Sequence, residues 1–418
     1  MLLLTRWHCL ATPARKSLFF IYVFILLTAA MSSTSLAQQA DNFTVALIPD
    51  TQYYCDLTNG GTPQMYYDLT GWLDAQAEAR NIQFAIHLGD LVNTPDVQSE
   101  WDVADAAQST LEWSVPYSVL PGNHDLDSND YYNQYFGPDR FAGQSFYGGH
   151  QGTTNNNNYC FFRGGGMDFM VLSLEYDPSY ETIAWAAQVV EAHPNHHVIV
   201  ASHEYLSMDG RRAIGDRIWH FLVKNHDNIF MVVSGHIIGW DHQTSTNNAG
   251  HEVIEILSDY QWEPDGLSQP PLGGDGWLNT MEFAPTEDKI YFKSYSPYLD
   301  EWRTTELHEY ELNFAMPDYL PGDANRDGRV NAADASILAA NWNATGADWN
   351  IGDFNGDGTV NASDIRMMAS NWGDSVASVG SIGTSVDVVP EPLSGVLFLS
   401  LLFASLARRP RHHSPVGK

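Results

Sequence analysis

The sequence predicts an α/β fold followed by a small helical module, and three features of the 418-residue chain support this. From Phe43 to about Phe314, apolar runs typical of strands alternate with longer stretches whose apolar residues recur every three or four positions, as in amphipathic helices. Most of the strand-like runs end directly in a polar cluster. Beyond Pro321, an Asp/Asn-rich segment occurs twice with an offset of thirty residues.

The individual elements follow from these patterns. The predicted strands include Thr44–Ile48, Ile82–Leu88, Val115–Leu120, Phe169–Leu174, Val198–Ala201 and Ile229–Val233. The predicted helices include Met65–Arg80, Ile183–Ala192 and Arg212–Asn225. The Gly/Asn-rich segment from Phe141 to Gly166, with four asparagines at 155–158, is expected to be a surface excursion outside the core.

Composition restricts the class of protein. Hydrophobic residues make up 44% of the chain and aromatic residues 12%, which is enough to build a sizeable core and excludes global disorder. The formal net charge of −31 argues against nucleic acid as a partner, because no positive field would attract its phosphates. A chain with this charge is better suited to binding cations.

The N-terminal residues 1–37 have the pattern of a secretory signal peptide. Arg15 and Lys16 precede an apolar run from Leu18 to Met31, and small residues follow it. Cleavage near Gln38 would leave two cysteines, Cys55 and Cys160, in an oxidising compartment. A disulfide between them and two free buried thiols are equal alternatives.

Five polar clusters follow strand-like runs in the first domain. They are Pro49-Asp50-Thr51-Gln52, Leu88-Gly89-Asp90, Gly122-Asn123-His124-Asp125, Ser202-His203-Glu204 and Ser234-Gly235-His236. Residues just beyond the carboxyl ends of strands in an open α/β sheet converge on one crevice, so the five clusters can line a single site. Carboxylate, imidazole and amide groups are metal ligands, which predicts a metal centre there.

The ordered set resembles the calcineurin-like metallophosphoesterase family over roughly residues 43 to 314. The family's usual blocks are Asp-x-His, Gly-Asp, Gly-Asn-His-Asp/Glu, a lone His, and Gly-His-x-His. The resemblance implies a layered α-β-β-α sandwich that binds one or two divalent transition metal ions, such as Mn, Fe, Zn or Ni. It also implies hydrolysis of a phosphoester substrate by a metal-activated hydroxide.

The resemblance assigns the metal ligands residue by residue. Asp90 would bridge two metal ions, and Asn123, His203 and His236 would complete one site. Asp50 and Gln52 would join Asp90 at the other site.

This other site departs from the family pattern. Gln52 stands where the family usually has His, and Ile238 stands where the last block has its second His. If the strand continues past His236, period-two geometry points Ile238 to the ligand side, and water or His242 would have to fill in. A surface-loop position is the alternative for His242.

By the same resemblance, His124 would assist the leaving group by donating a proton or stabilising its charge. Asp125 would orient the His124 imidazole. Both residues are therefore candidate catalytic residues.

The duplicated segment has the ligand spacing of EF-hand calcium loops. Oxygen-bearing side chains occupy positions one, three, five, nine and twelve, a glycine occupies position six, and the backbone carbonyl of position seven completes the set. The first loop supplies Asp323, Asn325, Asp327, Arg329, Asn331 and Asp334, and the second supplies Asp353, Asn355, Asp357, Thr359, Asn361 and Asp364. The sequence therefore predicts two Ca²⁺ ions.

Each loop runs into a helix-like segment that ends in Asn-Trp. The duplication resembles a type I dockerin, a small all-α domain with duplicated EF-hand-like loops. This resemblance implies a cohesin-type protein partner, with docking onto the chain's own hydrolase domain as the alternative.

The C-terminal residues 389–418 resemble the PEP-CTERM sorting signal of bacterial exported proteins. Val389-Pro390-Glu391-Pro392 precedes an apolar run from Leu393 to Ala407 and then Arg408-Arg409. The resemblance implies recognition by membrane sorting machinery and cleavage, with a permanent anchor as the alternative. The expected location is secreted or at the cell surface or outer envelope.

The predicted organisation has five parts: a signal peptide at 1–37, a metallophosphoesterase domain at 38–316, a dockerin-like domain at 317–375, a linker at 376–388 and the sorting tail. The leading hypothesis is an exported metal-dependent phosphoesterase. One rival is a non-catalytic surface protein with a degraded metallophosphoesterase fold. A second rival makes recruitment to an extracellular polysaccharide-degrading or matrix assembly the main role.

Overall fold

The computed structural model describes residues 42–57, 60–126, 129–261, 273–315, 320–325, 329–347 and 349–373. The predicted signal peptide, linker and sorting tail lie outside these ranges, as does Asp327 of the first calcium loop. Within the described ranges, no helix combines the length and apolar character needed to cross a membrane.

Strands and helices alternate as predicted. The strands are β1 (Phe43–Ile48), β2 (Ile82–His87), β3 (Tyr117–Ser118), β4 (Tyr147–His150), β5 (Asn158–Gly164), β6 (Met167–Leu174), β7 (His197–Ser202), β8 (Leu206–Ser207), β9 (Gly210–Arg211), β10 (Ile229–Ser234), β11 (Gly239–Thr246), β12 (Glu252–Asp259), β13 (Leu278–Ala284), β14 (Lys289–Ser296), β15 (Glu301–Arg303) and β16 (Glu309–Asn313). The helices are α1 (Gln52–Asp56), α2 (Pro63–Gln76), α3 (Gln98–Gln108), α4 (Tyr131–Phe136), α5 (Pro138–Phe141), α6 (Tyr180–Ala192), α7 (Ala213–Phe221), α8 (Ala332–Ala340) and α9 (Ala362–Ser370).

Two seven-stranded sheets form the first domain. The first sheet has the order β15-β14-β13-β1-β2-β3, with β16 also paired to β14, and the second has the order β11-β12-β10-β7-β6-β5-β4. The central pairs β1–β2 and β2–β3 are parallel in the first sheet. In the second sheet β6, β7, β10 and β12 are parallel neighbours. The five predicted site clusters therefore all follow the carboxyl ends of parallel strands, namely β1, β2, β3, β7 and β10.

Alternation along the strands explains the layers. In β1, Val45 and Leu47 point into the core between the sheets, whereas Ala46 and Ile48 face the helices α2 and α3. On the second sheet, Val171 faces the same inter-sheet core, and Leu172 faces α6 and α7. The strands are apolar on both faces because both faces are covered. The α-β-β-α sandwich implied by the resemblance is confirmed.

The predicted element boundaries need two corrections. The run Val115–Leu120 contributes only a two-residue strand, Tyr117–Ser118, although Val119 and Leu120 are also buried. The asparagine-rich segment is not a surface excursion, because Asn155 and Asn158 are buried. The Asn155 amide donates to the Phe136 carbonyl at the end of α4, and the Asn158 amide donates to the Val119 carbonyl. Amide side chains replace backbone pairing where strands and helices end.

The two cysteines are free and buried. Cys55 lies in α1, outside the first sheet, and Cys160 lies in β5, in the core between the sheets. Of the two alternatives, a disulfide and two free buried thiols, the structure has the free thiols.

The duplicated segment folds around its own small core. Leu338 of α8 and Met368 of α9 pack with Val330, Val360 and Trp349. The expected small helical domain with a duplicated loop is confirmed.

One arginine links the two domains. Nη1 of Arg163, at the end of β5, donates to the Asp353 carbonyl oxygen at 2.8 Å. Its guanidinium lies 5.1 Å from the ring centre of Trp349, and Nε forms a 2.9 Å ion pair with Asp168. The second loop of the small domain therefore contacts the first domain.

Replacing Phe169 with alanine is expected to destabilise the fold by about 3–5 kcal/mol, because it opens a cavity at the centre of the inter-sheet core. Phe169 is fully buried, and its ring lies 4.8 Å from Phe162 and 5.5 Å from Phe43. Denaturant unfolding measures the loss. Trp113→Ala is the control: Trp113 is 93% exposed, so its removal should change the free energy of unfolding by less than about 0.5 kcal/mol.

Candidate metal centre

The predicted clusters meet where the carboxyl ends of the parallel strands converge. Asp50 follows β1, Asp90 follows β2, His203 follows β7 and His236 follows β10. The ligand atoms of Asp90, His203 and His236 all lie within 4.8 Å of one another. Asp90 thus forms one group with two histidines more than a hundred positions later in the sequence, and this group can hold a cation.

The loop after β2 holds Asp90 in a left-handed conformation with φ of 50°. Its Oδ1 accepts a 2.9 Å hydrogen bond from the His124 amide, which joins it to the loop after β3. Gly122 lies against it so closely that an added Cβ would come within 2.1 Å of Asp90 Oδ1. Two tightly packed loops therefore determine where this carboxylate points.

Asn123, His203 and His236 surround Asp90 as the family pattern implies. His203 is fully buried, and its Nδ1 lies 2.8 Å from the Leu88 carbonyl oxygen, so Nδ1 donates and Nε2 faces the site. Nε2 lies 3.1 Å from Asn123 Oδ1 and 3.3 Å from Asp90 Oδ2. The His236 ring centre is 4.8 Å from that of His203. The donor set of one carboxylate, one amide oxygen and two imidazoles suits a divalent transition metal.

Electrostatics also favour a cation. Burial opposes charge on His203, yet the carboxylates of Asp90 and Asp50 raise the pKa of His203 to about 10. Burial alone would raise the pKa of Asp90, but the charge and hydrogen bond of His203 and the His124 amide lower it below its ordinary value. Burial, followed by the charge of His203, lowers the pKa of His236. The buried carboxylates attract positive charge to this point.

The other half of the centre contains Asp50 and Gln52, both buried. The Asp50 carboxylate accepts hydrogen bonds from the backbone amide of His236 at 3.3 Å and from the side-chain Nε2 of Gln261 at 3.0 Å. Burial, and next the neighbouring Asp259, raises the pKa of Asp50 well above its ordinary value. Gln52 Oε1 has no hydrogen-bond partner within the described ranges. An unpartnered buried oxygen fits a metal ligand.

The expectation for Ile238 is wrong. Strand β10 ends at Ser234, so period-two geometry does not extend past His236, and Ile238 lies in a short loop with 38% of its surface exposed. His242 is not in a surface loop. It lies on β11, with its ring stacked 3.9 Å from that of Tyr310. It does not join the group formed by Asp90, His203 and His236.

The expectation for Asp125 also needs correction. Its buried carboxylate accepts from the backbone amides of Leu91, Val92 and Gly122, so it ties the loops after β2 and β3 together. Nδ1 of the half-buried His124 instead lies 2.8 Å from the Asn93 carbonyl oxygen. The imidazole is therefore oriented by a backbone carbonyl, and Asp125 is a positioning residue for the loop.

Sequence reasoning assigned no role to three polar residues at this centre, of which only Glu204 belonged to a predicted cluster. Glu204 is buried, and its carboxylate lies 3.5 Å from His236 Nε2 and 3.1 Å from Arg212 Nε. Asp259 is the last residue of β12, and Gln261 follows that strand. A usable signal existed for these two, because Asp259 closes an apolar run just as the other clusters do.

The two calcium loops share one pattern of backbone hydrogen bonds. Asp364 Oδ1 accepts from the Asn355 amide at 3.2 Å and Oδ2 from the Asn361 amide at 2.8 Å. Asp334 makes the same two contacts thirty residues earlier, at the same two distances. Asn331 and Asn361 cap α8 and α9, and each closes a capping box with the aspartate three residues later.

In the second loop, the buried Asp353 carboxylate accepts from the amides of Gly356, Asp357 and Gly358. The Thr359 amide donates to Asp357 Oδ1 at 2.9 Å. The loop is therefore folded tightly around its first carboxylate.

Gly122→Ala is expected to lower the affinity of the centre for metal by about 10–100-fold while the chain still folds. The new methyl group would displace Asp90, because its Oδ1 lies 2.1 Å from the Cβ position. Elemental analysis after dialysis against defined Mn²⁺ concentrations measures the affinity. Gly71→Ala is the control, since a Cβ there meets nothing within 4 Å. Wild-type affinity in Gly122→Ala would contradict the steric argument.

Comparisons with known proteins identify both domains. Residues 43–239 match the calcineurin-like phosphoesterase model, and residues 321–371 match the dockerin type I domain model. The chain is 33% identical over 273 residues to the uncharacterized protein YvnB of Bacillus subtilis strain 168, covering 62% of this chain. It spans only 20% of that relative's length.

Three solved structures are similar at low identity. Purple acid phosphatase PPD1 from yellow lupin has a TM-score of 0.44 at 13% identity, over 66% of this chain and 55% of that one. GAP50, the anchor in the inner membrane complex of Plasmodium, has 0.42 at 12%, over 65% and 89%. The 5'-nucleotidase of Candida albicans SC5314 has 0.37 at 10%, over 65% and 52%.

The order of the strand-end clusters, the layered fold, the metal-binding group and the two model matches agree. This chain joins a domain of the calcineurin-like phosphoesterase family to a dockerin type I domain.

Proposed function

We propose that this protein is an exported hydrolase that cleaves phosphoester bonds with the help of divalent metal ions. The observation that carries the proposal is the convergence of Asp90, His203 and His236, whose ligand atoms lie within 4.8 Å of one another. Asn123 Oδ1 adds an amide oxygen 3.1 Å from His203 Nε2. Asp50, Gln52 and Asp90 would contribute to one metal site, which we call the first. The four residues Asp90, Asn123, His203 and His236 would hold a metal ion at the second.

Divalent metal ions bound there would lower the pKa of a bound water and offset negative charge on the phosphate oxygens. The protein's own contribution is to hold the ligands ready. Asp90 and His236 both have positive φ, at 50° and 64°, and such strained backbone persists only where the surrounding structure enforces it. The arrangement is therefore organised before substrate arrives.

His124 is suited to the leaving group. A carbonyl oxygen only accepts hydrogen bonds, so the contact with Asn93 places a proton on Nδ1. Nε2 is then the nitrogen that can carry a second proton and donate it to a departing alkoxide. The amide of the same residue donates to Asp90, so this hydrogen bond holds the loop of the proton donor against the loop of a metal ligand.

The competing hypothesis is a binding protein that has lost catalysis. Its support is the missing imidazole at Ile238, which lies exposed in the loop after β10. Hydrolysis of p-nitrophenyl phosphate and bis-p-nitrophenyl phosphate with added Mn²⁺, Fe²⁺, Zn²⁺ or Ni²⁺ separates the hypotheses. Turnover lost in Asn123→Ala supports the hydrolase. A folded, metal-loaded protein without turnover on any phosphoester would favour the binding protein.

His124→Ala is expected to slow hydrolysis by about 10²–10⁴-fold for substrates with alkyl leaving groups, because these need a proton as they depart. The loss should be much smaller for p-nitrophenyl esters, whose leaving group is a weak base. Rates across a series of leaving groups measure this dependence. His226→Ala serves as the control, since that ring bonds the Leu222 carbonyl away from the centre. An equal loss for all leaving groups would argue for a structural role of His124.

The dockerin domain points to calcium and a protein partner. We infer that its loops bind two Ca²⁺ ions through the residues named from the duplication, and that the partner is a cohesin-type domain. The Arg163 contact also supports docking onto the chain's own hydrolase domain. A domain of this type suits a secreted or cell-surface protein, which agrees with the predicted export and sorting signals.

Asp357→Ala is expected to reduce calcium binding from two ions per chain to one, because position five of the second loop loses its carboxylate. Asp357 is exposed and bonds only within its loop, so the fold should survive. Isothermal titration of the calcium-free protein counts the sites. Asp96→Ala removes an exposed carboxylate outside the loops and should keep both ions. Retention of two ions in Asp357→Ala would refute the assignment.

A further inference from the structure

The first metal site has an incomplete set of family ligands. Asp50, Gln52 and Asp90 are present, but Ile238 replaces the imidazole and lies in an exposed loop. His242 stacks on Tyr310 instead of joining the centre. A further donor must come from elsewhere in the chain if this site is to hold a metal ion tightly.

The end of β12 reaches the same edge of the second sheet as the end of β10. In this parallel pair Ser234 lies opposite Leu257. Strand β10 ends at Ser234, whereas β12 continues to Asp259. Asp259 is therefore the last residue of a parallel strand, at the edge of the sheet where the other clusters lie.

Asp259 is fully buried, yet only part of its carboxylate is satisfied. Oδ1 accepts a 3.0 Å hydrogen bond from the Gln261 amide, whereas Oδ2 has no hydrogen-bond partner among the residues that the structure describes. Gln52 Oε1 is unpartnered in the same sense. Two buried oxygen acceptors without donors are expensive to leave uncompensated.

Gln261 ties Asp259 to the first site. Its backbone amide binds Asp259, and its side-chain Nε2 donates to Asp50 Oδ2 at 3.0 Å. The two carboxylates are thus held by one residue, while a second Asp50 contact comes from the His236 amide. Asp259 is oriented by the same short segment that orients an assigned ligand.

The number of buried acids also favours a cation. Asp50, Asp90 and Asp259 are three buried carboxyl groups. Burying carboxylates without a compensating partner is costly. A divalent cation would compensate them and would give a partner to the oxygens of Asp259 and Gln52 that lack donors.

We propose that Asp259 is a ligand of the first metal site and substitutes there for the imidazole missing at Ile238. The site would then consist of Asp50, Gln52, Asp90 and Asp259, a set of oxygen donors. Oxygen donors favour Mn²⁺ or Mg²⁺, whereas the imidazoles of the second site also suit Zn²⁺ or Fe²⁺. The proposal rests on the metal-dependent function proposed above.

The test counts manganese ions in the whole protein, with excess calcium present to fill the dockerin loops. Wild-type protein is expected to bind two Mn²⁺ per chain and to give the electron paramagnetic resonance signal of a spin-coupled pair. Asp259→Asn should bind one ion and give the signal of isolated Mn²⁺. Asp241→Asn, the same chemical change on the neighbouring strand β11, should bind two.

Each outcome bears on the proposal. Two ions with unchanged affinity in Asp259→Asn would overturn it, and so would one ion in the wild-type protein. If circular dichroism shows Asp259→Asn to be unfolded, Asp259→Glu decides. This variant keeps the carboxyl group but moves its oxygens. It should weaken, by roughly tenfold, the binding of manganese at the first site only. Unchanged binding in Asp259→Glu would again overturn the assignment.

The same measurements separate this proposal from the proposed function. A wild-type protein that binds a coupled manganese pair through Asp259 but hydrolyses no phosphoester would refute the hydrolase and retain the ligand. Hydrolysis by a protein that binds a single ion would retain the hydrolase and refute the ligand.

Discussion

Several carboxylates are buried where the parallel strands of the two sheets end. The organisation of the site depends on how their charge is compensated. Asp50, Asp90, Asp125 and Asp259 are all buried there, with the imidazole of His203 among them. Burial, and next the charge of Asp90, raises the pKa of Asp125 to about 7 even though three backbone amides bind it. Where fewer donors bind a buried carboxylate, a bound cation can compensate its charge.

The carboxylates differ in how many hydrogen-bond donors bind them. This difference separates a carboxylate that ties loops together from those that can bind a metal ion. Asp125 has backbone donors on both oxygens and joins two loops. Asp90 is shared between a backbone amide and the His203 imidazole, which leaves it able to bind metal. Asp259 keeps one oxygen without a donor in the described part of the chain. Counting the donors of each buried acid therefore gives more information than residue type.

Much of the fold was predictable because periodicity reports burial. Strands β1, β6 and β10 were predicted from their mostly apolar sequences, and they are buried along their whole length because both faces are covered. The asparagine-rich segment was misread because composition cannot tell an exposed amide from one that satisfies buried backbone groups. Likewise, the short strand β3 could not be told from the longer apolar run around it, because strand pairing is a property of neighbouring chains.

The sequence by itself determined the order of the candidate metal-binding clusters, the thirty-residue duplication and the layered class of fold. These are local signals, since each depends on residues close together along the chain. Only the tertiary structure decided that Asn93 orients His124, that Ile238 is exposed in a loop and that Gln261 links Asp259 to Asp50. Those facts depend on where strands end and which loops meet, and such long-range contacts leave no trace in the spacing of residues.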